Sequence, residues 1–337
     1  MKKLRIRIRR IFVKFICVFV PFQKARRKIR NYFFQIGGQY VCGEVVSKIR
    51  ALPDPVFAWR NFVKGLDDDS AVTATRSLAI VDTIYSKPSE ILTPCEYSDF
   101  MENKIKLETG VFKINNNCYA FGKDLLPIKH FEYSVFCTKH GLDTIDLSKV
   151  PQGSVIIDVG AFIGDSALIF RKYFKNKIYS FEAMEINYEV LLKTIELNDM
   201  AEQVVPIKYA LSDGKTKIYA GSKIKFQYSG FRTSSTPSGD VLQSCTLDDF
   251  IKKNNLKTGL IKVDVEGGEQ SFLRGARETI VRDRPILLLS IYHSWSDLDY
   301  FKIKEIIESW NLGYTFRIFK PMDNNILEET LLICEQK

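Results

Sequence analysis

Three residues in the second half of the chain have the side chains for acid–base chemistry. The run Ile261-Lys262-Val263-Asp264-Val265-Glu266-Gly267-Gly268-Glu269 reads as a strand ending on two carboxylates. Residues two apart on a strand share a face, so Asp264 and Glu266 are expected on one side, with Val263 and Val265 on the other. Two acids at the edge of a sheet are costly to desolvate unless they bind something. Gly267-Gly268 then lets the chain turn close to the cleft, and Glu269 suits the cap of a following helix. His293 closes the apolar run through Ser290-Ile291-Tyr292. An imidazole at the mouth of a sheet titrates near neutral pH and can act as general base toward a hydroxyl, although a lone histidine more often serves as a simple hydrogen-bonding group. His130 and His140 lie earlier in the chain and have weaker claims.

A second set of residues suits a nucleoside. Val155-Ile156-Ile157-Asp158-Val159 reads as a buried strand, Gly160-Ala161-Phe162-Ile163-Gly164 as a turn, and Asp165-Ser166 as the start of a helix. Open α/β sheets bind cofactors beyond the carboxyl end of such a strand. Gly160 and Gly164 permit close backbone approach, but their spacing departs from G-x-G-x-x-G, so the turn suits a nucleoside without a pyrophosphate. Glu182 closes Ile178-Tyr179-Ser180-Phe181, where a carboxylate can accept from both hydroxyls of a ribose. Asp213, in Ala210-Leu211-Ser212-Asp213-Gly214, can accept from a base amino group or mark a plain turn. Asp158 can meet the amino group of a ligand or bond the turn that follows it. Asp165 and Ser166 read as helix-capping residues.

These residues need a scaffold that brings strand ends together. Apolar runs recur at Val155–Val159, Ile178–Phe181, Val204–Ile207, Leu260–Val265 and Ile286–Ile291, with a helical period over Asn187–Leu197. Apolar strands alternating with helices imply a parallel sheet covered on both faces. Tyr314–Phe319 and Thr330–Cys334 are joined by a turn at Lys320–Asn325, which forces antiparallel pairing. Upstream, short helices are expected over residues 36–100. Strands are expected at Lys104–Leu107, Val111–Ile114 and Cys118–Phe121, the last after the turn Asn115-Asn116-Asn117. The expected division is an arm over 1–35, an N-terminal α/β preface over 36–150 and the main α/β domain over 151–337.

Charge sets the arm apart. Residues 1–30 hold twelve Lys/Arg, no acid precedes Glu44, and the whole chain carries +9, so the remainder sums to −3. A slightly acidic body is a poor platform for nucleic acid. Seven scattered cysteines without C-x-x-C suggest neither zinc nor a disulfide framework, and reduced thiols in a cytoplasmic protein are expected; no metal site is anticipated. The apolar run Ile11 to Phe22 is broken by Lys14, is about half the length of a transmembrane helix, and lacks a signal-peptide cleavage site. It is read as a segment lying in an anionic membrane interface, on the inner face, or docked on the protein's own surface.

In order and spacing, Val155–Ser166, Phe181-Glu182-Ala183 leading to Asn198, Ala210–Asp213, Thr246-Leu247-Asp248-Asp249-Phe250, Ile261–Glu269 with Leu273-Arg274-Gly275-Ala276, and Ser290–His293 together resemble the FkbM-type S-adenosylmethionine-dependent methyltransferases. The resemblance spans roughly residues 130–335. It implies a Rossmann-like class I methyltransferase sheet, mostly parallel with the last strand antiparallel. It implies O-methylation of a hydroxyl on a sugar, glycan or other natural-product acceptor, with S-adenosylmethionine as cofactor. By position, Asp158, Gly160 and Glu182 would hold the cofactor, and Asp264 and Glu266 would sit beside the methyl group. From their places in the strand ends and turns, Ala161, Gly164 and Asp213 are expected with the cofactor residues and His293 with the catalytic ones. The Ser/Thr/Gly-rich segment Ser229–Gly239 can serve as a flap or a surface loop. One rival is an NAD(P)-dependent sugar dehydrogenase or epimerase, which wants the missing glycine motif and a Tyr-x-x-x-Lys pair. Tyr173 and Lys177 have that spacing but precede the second strand. A nucleic-acid methyltransferase lacks its Pro-Pro motif here, and a non-enzymatic membrane-anchored module leaves the acid pair unexplained.

Overall fold

A computed structural model describes residues 45–86, 102, 105–107, 109–214, 218–219, 241–293, 299–320 and 330–336. The basic arm, the segment Ser229–Gly239 and residues 321–325 of the last expected turn lie outside them. Residues 45–50 are helical, and two further helices follow, α1 (Pro55–Val63) and α2 (Asp68–Ser86). Asp54 caps α1 by accepting from Phe57 N at 2.8 Å, and Pro55 sits at the first helical position, where its missing N–H is harmless. The strand expected at Lys104–Leu107 does not form: residues 105–107 are helical. The alternation of lysine and apolar residues there is too short to separate the two periods. A meander follows, built from β1 (Phe112–Asn115), β2 (Cys118–Phe121) and β3 (Asp124–Leu126). The short helix α3 (Tyr133–Phe136) leads on to two 3-10 turns.

The main sheet is laid down by β4 (Val155–Val159), β5 (Ile178–Phe181) and β6 (Val204–Ile207), separated by α4 (Asp165–Tyr173) and α5 (Glu185–Leu197). Short pairs follow: β7 (Ala210–Leu211), β8 (Ile218–Tyr219), β9 (Val241–Leu242) and β10 (Ser244–Cys245). The chain then runs through α6 (Leu247–Lys253), β11 (Thr258–Val263), α7 (Glu269–Gly275), α8 (Arg277–Asp283), β12 (Ile286–Ser290), α9 (Asp299–Glu308), β13 (Tyr314–Phe319) and β14 (Leu331–Gln336). The seven-stranded order is β13-β14-β12-β11-β4-β5-β6, in which β14 is antiparallel to both neighbours and the remaining pairs are parallel.

Burial explains the arrangement. Every residue of β4, β11 and β12 is buried, so these strands need helices on both faces. The strand alternation sends Val155, Ile157, Val159, Ile261 and Val263 into one core, with Phe272, Leu273 and Ile280. Ile156, Leu260 and Ile178 enter the other, with Leu168, Phe170 and Leu191. On that second face the next residue along each strand is polar, so Lys262, Asp158 and Ser180 stand side by side in register. This polar row is buried toward the carboxyl ends of three adjacent strands, β11, β4 and β5.

The upstream elements join the same body. Phe62 and Ala74 belong to the first core, and Ile318 N of the edge strand β13 donates to Ser70 Oγ at 2.9 Å. An exposed sheet edge offers unpaired backbone groups to other chains, and α2 covers this one. On the opposite side, Asn198 at the end of α5 donates to Leu125 O at 2.7 Å and accepts from Leu125 N at 2.9 Å, which ties β3 to the sheet.

Candidate active site

Gly160 begins the turn after β4 at φ +76, and a Cβ there would stand 1.9 Å from the carbonyl oxygen of Asp264. Gly164, at φ +85, would press a Cβ to 2.7 Å from Leu191. Packing against backbone therefore requires glycine at 160, and the left-handed φ favours it at 164. The close approach anticipated for a ligand is made by the turn after β11. Gly160 N and Ala161 N both donate to Phe181 O, at 3.0 and 2.9 Å, so the turn is stapled to the end of β5. Phe162 carries a left-handed φ of +50 and donates its N–H to Glu182 Oε2 at 3.0 Å.

Glu182 accepts a second backbone bond from Met184 N at 2.7 Å. The Asn187 side chain adds a third bond, so the carboxylate keeps room for a further donor. Burial pushes the Glu182 carboxyl up to about 7, against the bonds from Met184 and Phe162 and the charge of Lys262. Asp158 is fully buried, and neither of its oxygens has a well-formed hydrogen bond. Burial raises its carboxyl above the usual range, opposed by the Lys262 charge.

Lys262 is the residue that sequence reasoning missed. Its ammonium is buried, lies 3.2 Å from Asp158 Oδ1 and donates to Gly160 O at 2.9 Å. Burial favours the neutral amine, but Asp158, Asp264 and Asp165 outweigh it and hold the ammonium charged. A lysine inside an apolar central strand was the available signal, because its desolvation demands partners.

The expected strand face for Asp264 and Glu266 is corrected by the structure. β11 ends at Val263, and both acids lie in the turn beyond it, with Glu266 at φ +55. Two acids cannot share a strand face where the ladder has ended. Asp264 and Glu266 nonetheless meet at His293. Its Nε2 is 3.2 Å from Asp264 Oδ1 and 3.9 Å from Glu266 Oε1, while Nδ1 is 2.6 Å from Glu269 Oε1. The two cleft acids keep side-chain exposures of 28% and 39%, against 4% for His293. Burial acts to raise the Asp264 carboxyl, but His293, Lys262 and His140 hold it well below the usual range. His293 itself is raised well above its ordinary value: burial opposes its charge, and Glu269 and Asp264 overcome that opposition. Nδ1 is thus hydrogen-bonded to Glu269, while Nε2 faces Asp264 without a well-formed hydrogen bond.

The remaining anticipated residues fall as follows. β12 ends at Ser290, so His293 stands three residues past the strand. Asp213 Oδ2 accepts from Arg274 Nε and Nη2 at 3.2 and 3.1 Å, which places it at the edge of the cleft in an ion pair. Asp165 is the first helical residue of α4 after the cap Gly164, and its Oδ1 accepts from Ser166 N at 3.0 Å. Burial and Glu132 push its carboxyl up to about 7, opposed by His130 and Lys262. His130 bonds Glu132 at 2.7 Å and meets the Phe162 ring edge-on at 5.1 Å. His140 Nε2 lies 3.2 Å from Ser166 Oγ, and burial pushes its imidazolium down to about 3. The two upstream histidines thus stand against the turn, a long-range placement that no local spacing announces. Tyr173 donates to Asp143 at 2.7 Å and Lys177 bonds Glu202 O, so the Tyr-Lys pair of a dehydrogenase is not assembled.

A sheet ordered this way, with its penultimate position held by the one antiparallel strand and its acids at the carboxyl edge, is that of a class I methyltransferase. Residues 158–317 match the model of the Methyltransferase FkbM domain, and the chain is a methyltransferase that is similar to that family over this stretch. A curated relative, methyltransferase sdnD of Sordaria araneosa, is 26% identical over 181 residues, covering 44% of this chain and 69% of its own length. The crystal structure of methyltransferase FkbM from Methylobacillus flagellatus KT superposes with a TM-score of 0.52 at 20% identity. That match covers 86% of this chain and 60% of the other, and it speaks to the fold alone.

The cofactor of this class is S-adenosylmethionine, which supplies an electrophilic methyl group on a sulfonium. The residues present fit it. Asp158 Oδ2, Ser180 Oγ and Asn187 Oδ1 are buried polar atoms without well-formed hydrogen bonds, and Asp158 Oδ1 has only the Lys262 ammonium at 3.2 Å. Such atoms are rare in folded proteins and mark a place where a polar ligand completes the bonding. Assigning the ribose diol to Glu182 has a pH consequence. Hydroxyl donors need the ionised carboxylate, whose population rises as pH climbs through about 7. Affinity for S-adenosylhomocysteine should then grow about tenfold from pH 6 to pH 8 by calorimetry. Glu182→Gln should bind weakly with a flat profile; an equal slope in both proteins would rule the assignment out.

Proposed function

We propose that this methyltransferase transfers its methyl group to a hydroxyl on a sugar, glycan or other natural-product acceptor. The observation carrying this reading is the pair Asp264 and Glu266, both partly exposed beside the cofactor turn. An alcohol oxygen attacks well only if its proton leaves as the new bond forms, and an adjacent carboxylate can take it directly or through water. Holding the reacting atoms in line at about 3 Å separation removes a large entropic barrier. The turn stapled to β5 and locked by Lys262 gives the rigid floor such alignment needs.

Asp158, Gly160, Ala161, Gly164 and Glu182 form that floor in this reading, with Asp158 meeting the amino group of the cofactor. The segment up to residue 150 shapes the acceptor side, a role supported by His130 and His140 standing against the turn. Isotopically labelled methyl transfer to a panel of sugars and other polyols should yield methoxy products. The double variant Asp264→Asn, Glu266→Gln should lose about 10²–10⁴-fold in kcat with S-adenosylhomocysteine affinity kept within a few fold. Methylated amines as the sole products would refute the hydroxyl reading.

The basic arm supports placement on the inner face of a membrane, where its cations meet anionic headgroups. Among the described residues no helix is long and apolar enough to cross a membrane. The full chain should co-sediment with anionic vesicles and not with neutral ones, and deletion of residues 1–35 should abolish the effect. Equal recovery with both vesicle types would end this reading.

A further inference from the structure

The helix that starts at Glu269 places its first side chain against the cleft. Glu269 is fully buried, and its Oε1 accepts from Val265 N at 3.2 Å as well as from His293 Nδ1 at 2.6 Å. The first bond ties the turn after β11 to the first residue of α7 and accounts for one lone pair. The second bond does more, because the opposite edge of the same imidazole faces Asp264 and Glu266. Ionised carboxylates only accept hydrogen bonds. Nδ1 donates to Glu269, and Nε2 faces Asp264 at 3.2 Å as an ion-pair contact without hydrogen-bond geometry. The carboxylates on both edges therefore favour the doubly protonated, positively charged ring.

We propose that Glu269 is a positioning residue for methyl transfer, acting through His293 to hold Asp264 and Glu266 together at the cleft. Two carboxylates sharing one site repel each other, and a fixed cation between them removes that repulsion. Without Glu269 the ring can release Nδ1–H, turn neutral and let the two acids separate. The proposal rests on the carboxylates receiving the acceptor's proton, and it names what sets their geometry. The groups facing His293 are Glu269 from α7, Asp264 and Glu266 from the turn after β11, and the Tyr292 ring at 4.0 Å. Lys262, one strand residue before that turn, adds positive charge beside Asp264. The raised position of His293 agrees with this environment.

The chain has only three histidines, so each imidazole is resolvable by NMR in the full protein labelled at histidine. Wild-type His293 should remain protonated throughout the neutral range. In Glu269→Gln, which keeps an oxygen for Val265 N, its titration midpoint should fall by more than one pH unit. With an active acceptor, kcat should drop at least tenfold while KM for S-adenosylmethionine changes less than threefold. Glu269→Asp should not rescue, because its shorter side chain cannot span both partners. As a second variant, Asp264→Asn removes the partner on the other side and should also lower the His293 midpoint. A wild-type His293 that titrates near its ordinary value overturns the proposal, as does an unchanged midpoint in both variants. The titration needs no acceptor and no cofactor. Absence of S-adenosylhomocysteine binding by the wild type would count against the cofactor-site assignments and leave the clamp to be judged on the titration alone.

Discussion

The carboxyl edge of this sheet depends on one buried ammonium. Lys262 joins the turn after β4 to the strand β11 by binding Gly160 O and pairing with Asp158. A buried charge is tolerated only when its partners are close and well placed, and losing one partner is strongly destabilising. That constraint links the residues around it. Gly160 cannot carry a side chain because the Asp264 carbonyl sits where a Cβ would go, and Asp264 follows Lys262 by two residues on the same strand extension. The two turns that frame the cleft are therefore fixed to each other, and the lysine supplies positive charge beneath three acids.

The cleft is an ordered alternation of charge. Asp158 and Asp264 flank Lys262, and Asp264, Glu266 and Glu269 surround His293. Lys262 and His293 hold Asp264 ionised, while burial raises Asp158 and drives Glu182 and Asp165 toward the neutral form near pH 7. The floor of the site is thus separated into acids held ionised and acids poised to titrate. Such separation is how one set of carboxylates can serve both binding and proton transfer.

Much of the fold was legible in the sequence, and the limits have physical causes. The strand runs at Val155–Val159, Ile178–Phe181, Val204–Ile207 and Tyr314–Phe319 match the structure, because apolar parallel strands flanked by helical periods leave few alternatives. The strand ending at Val265 was read two residues too long, since Val265 continues the apolar alternation although the ladder stops at Val263. Lys104–Leu107 was read as a strand from a period too brief to decide. The nearness of Asp264, Glu266 and His293 followed from their places at strand ends. What they do to one another did not, because Glu269 looks like a cap until its second bond is seen. Lys262 was hidden by treating its strand as uniformly apolar. The polar row Asp158, Lys262 and Ser180 exists only through register, which pairs residues from three distant segments.

The most direct test of the Lys262–Asp158 lock is a double-mutant cycle with Lys262→Met and Asp158→Asn, read by calorimetric binding of S-adenosylhomocysteine. If the pair fixes the cofactor turn, each single variant binds at least tenfold more weakly. The double variant then falls short of the sum, with a coupling of about 1 kcal/mol or more. Losses that add to within about 0.3 kcal/mol would show the two residues acting independently and contradict the account.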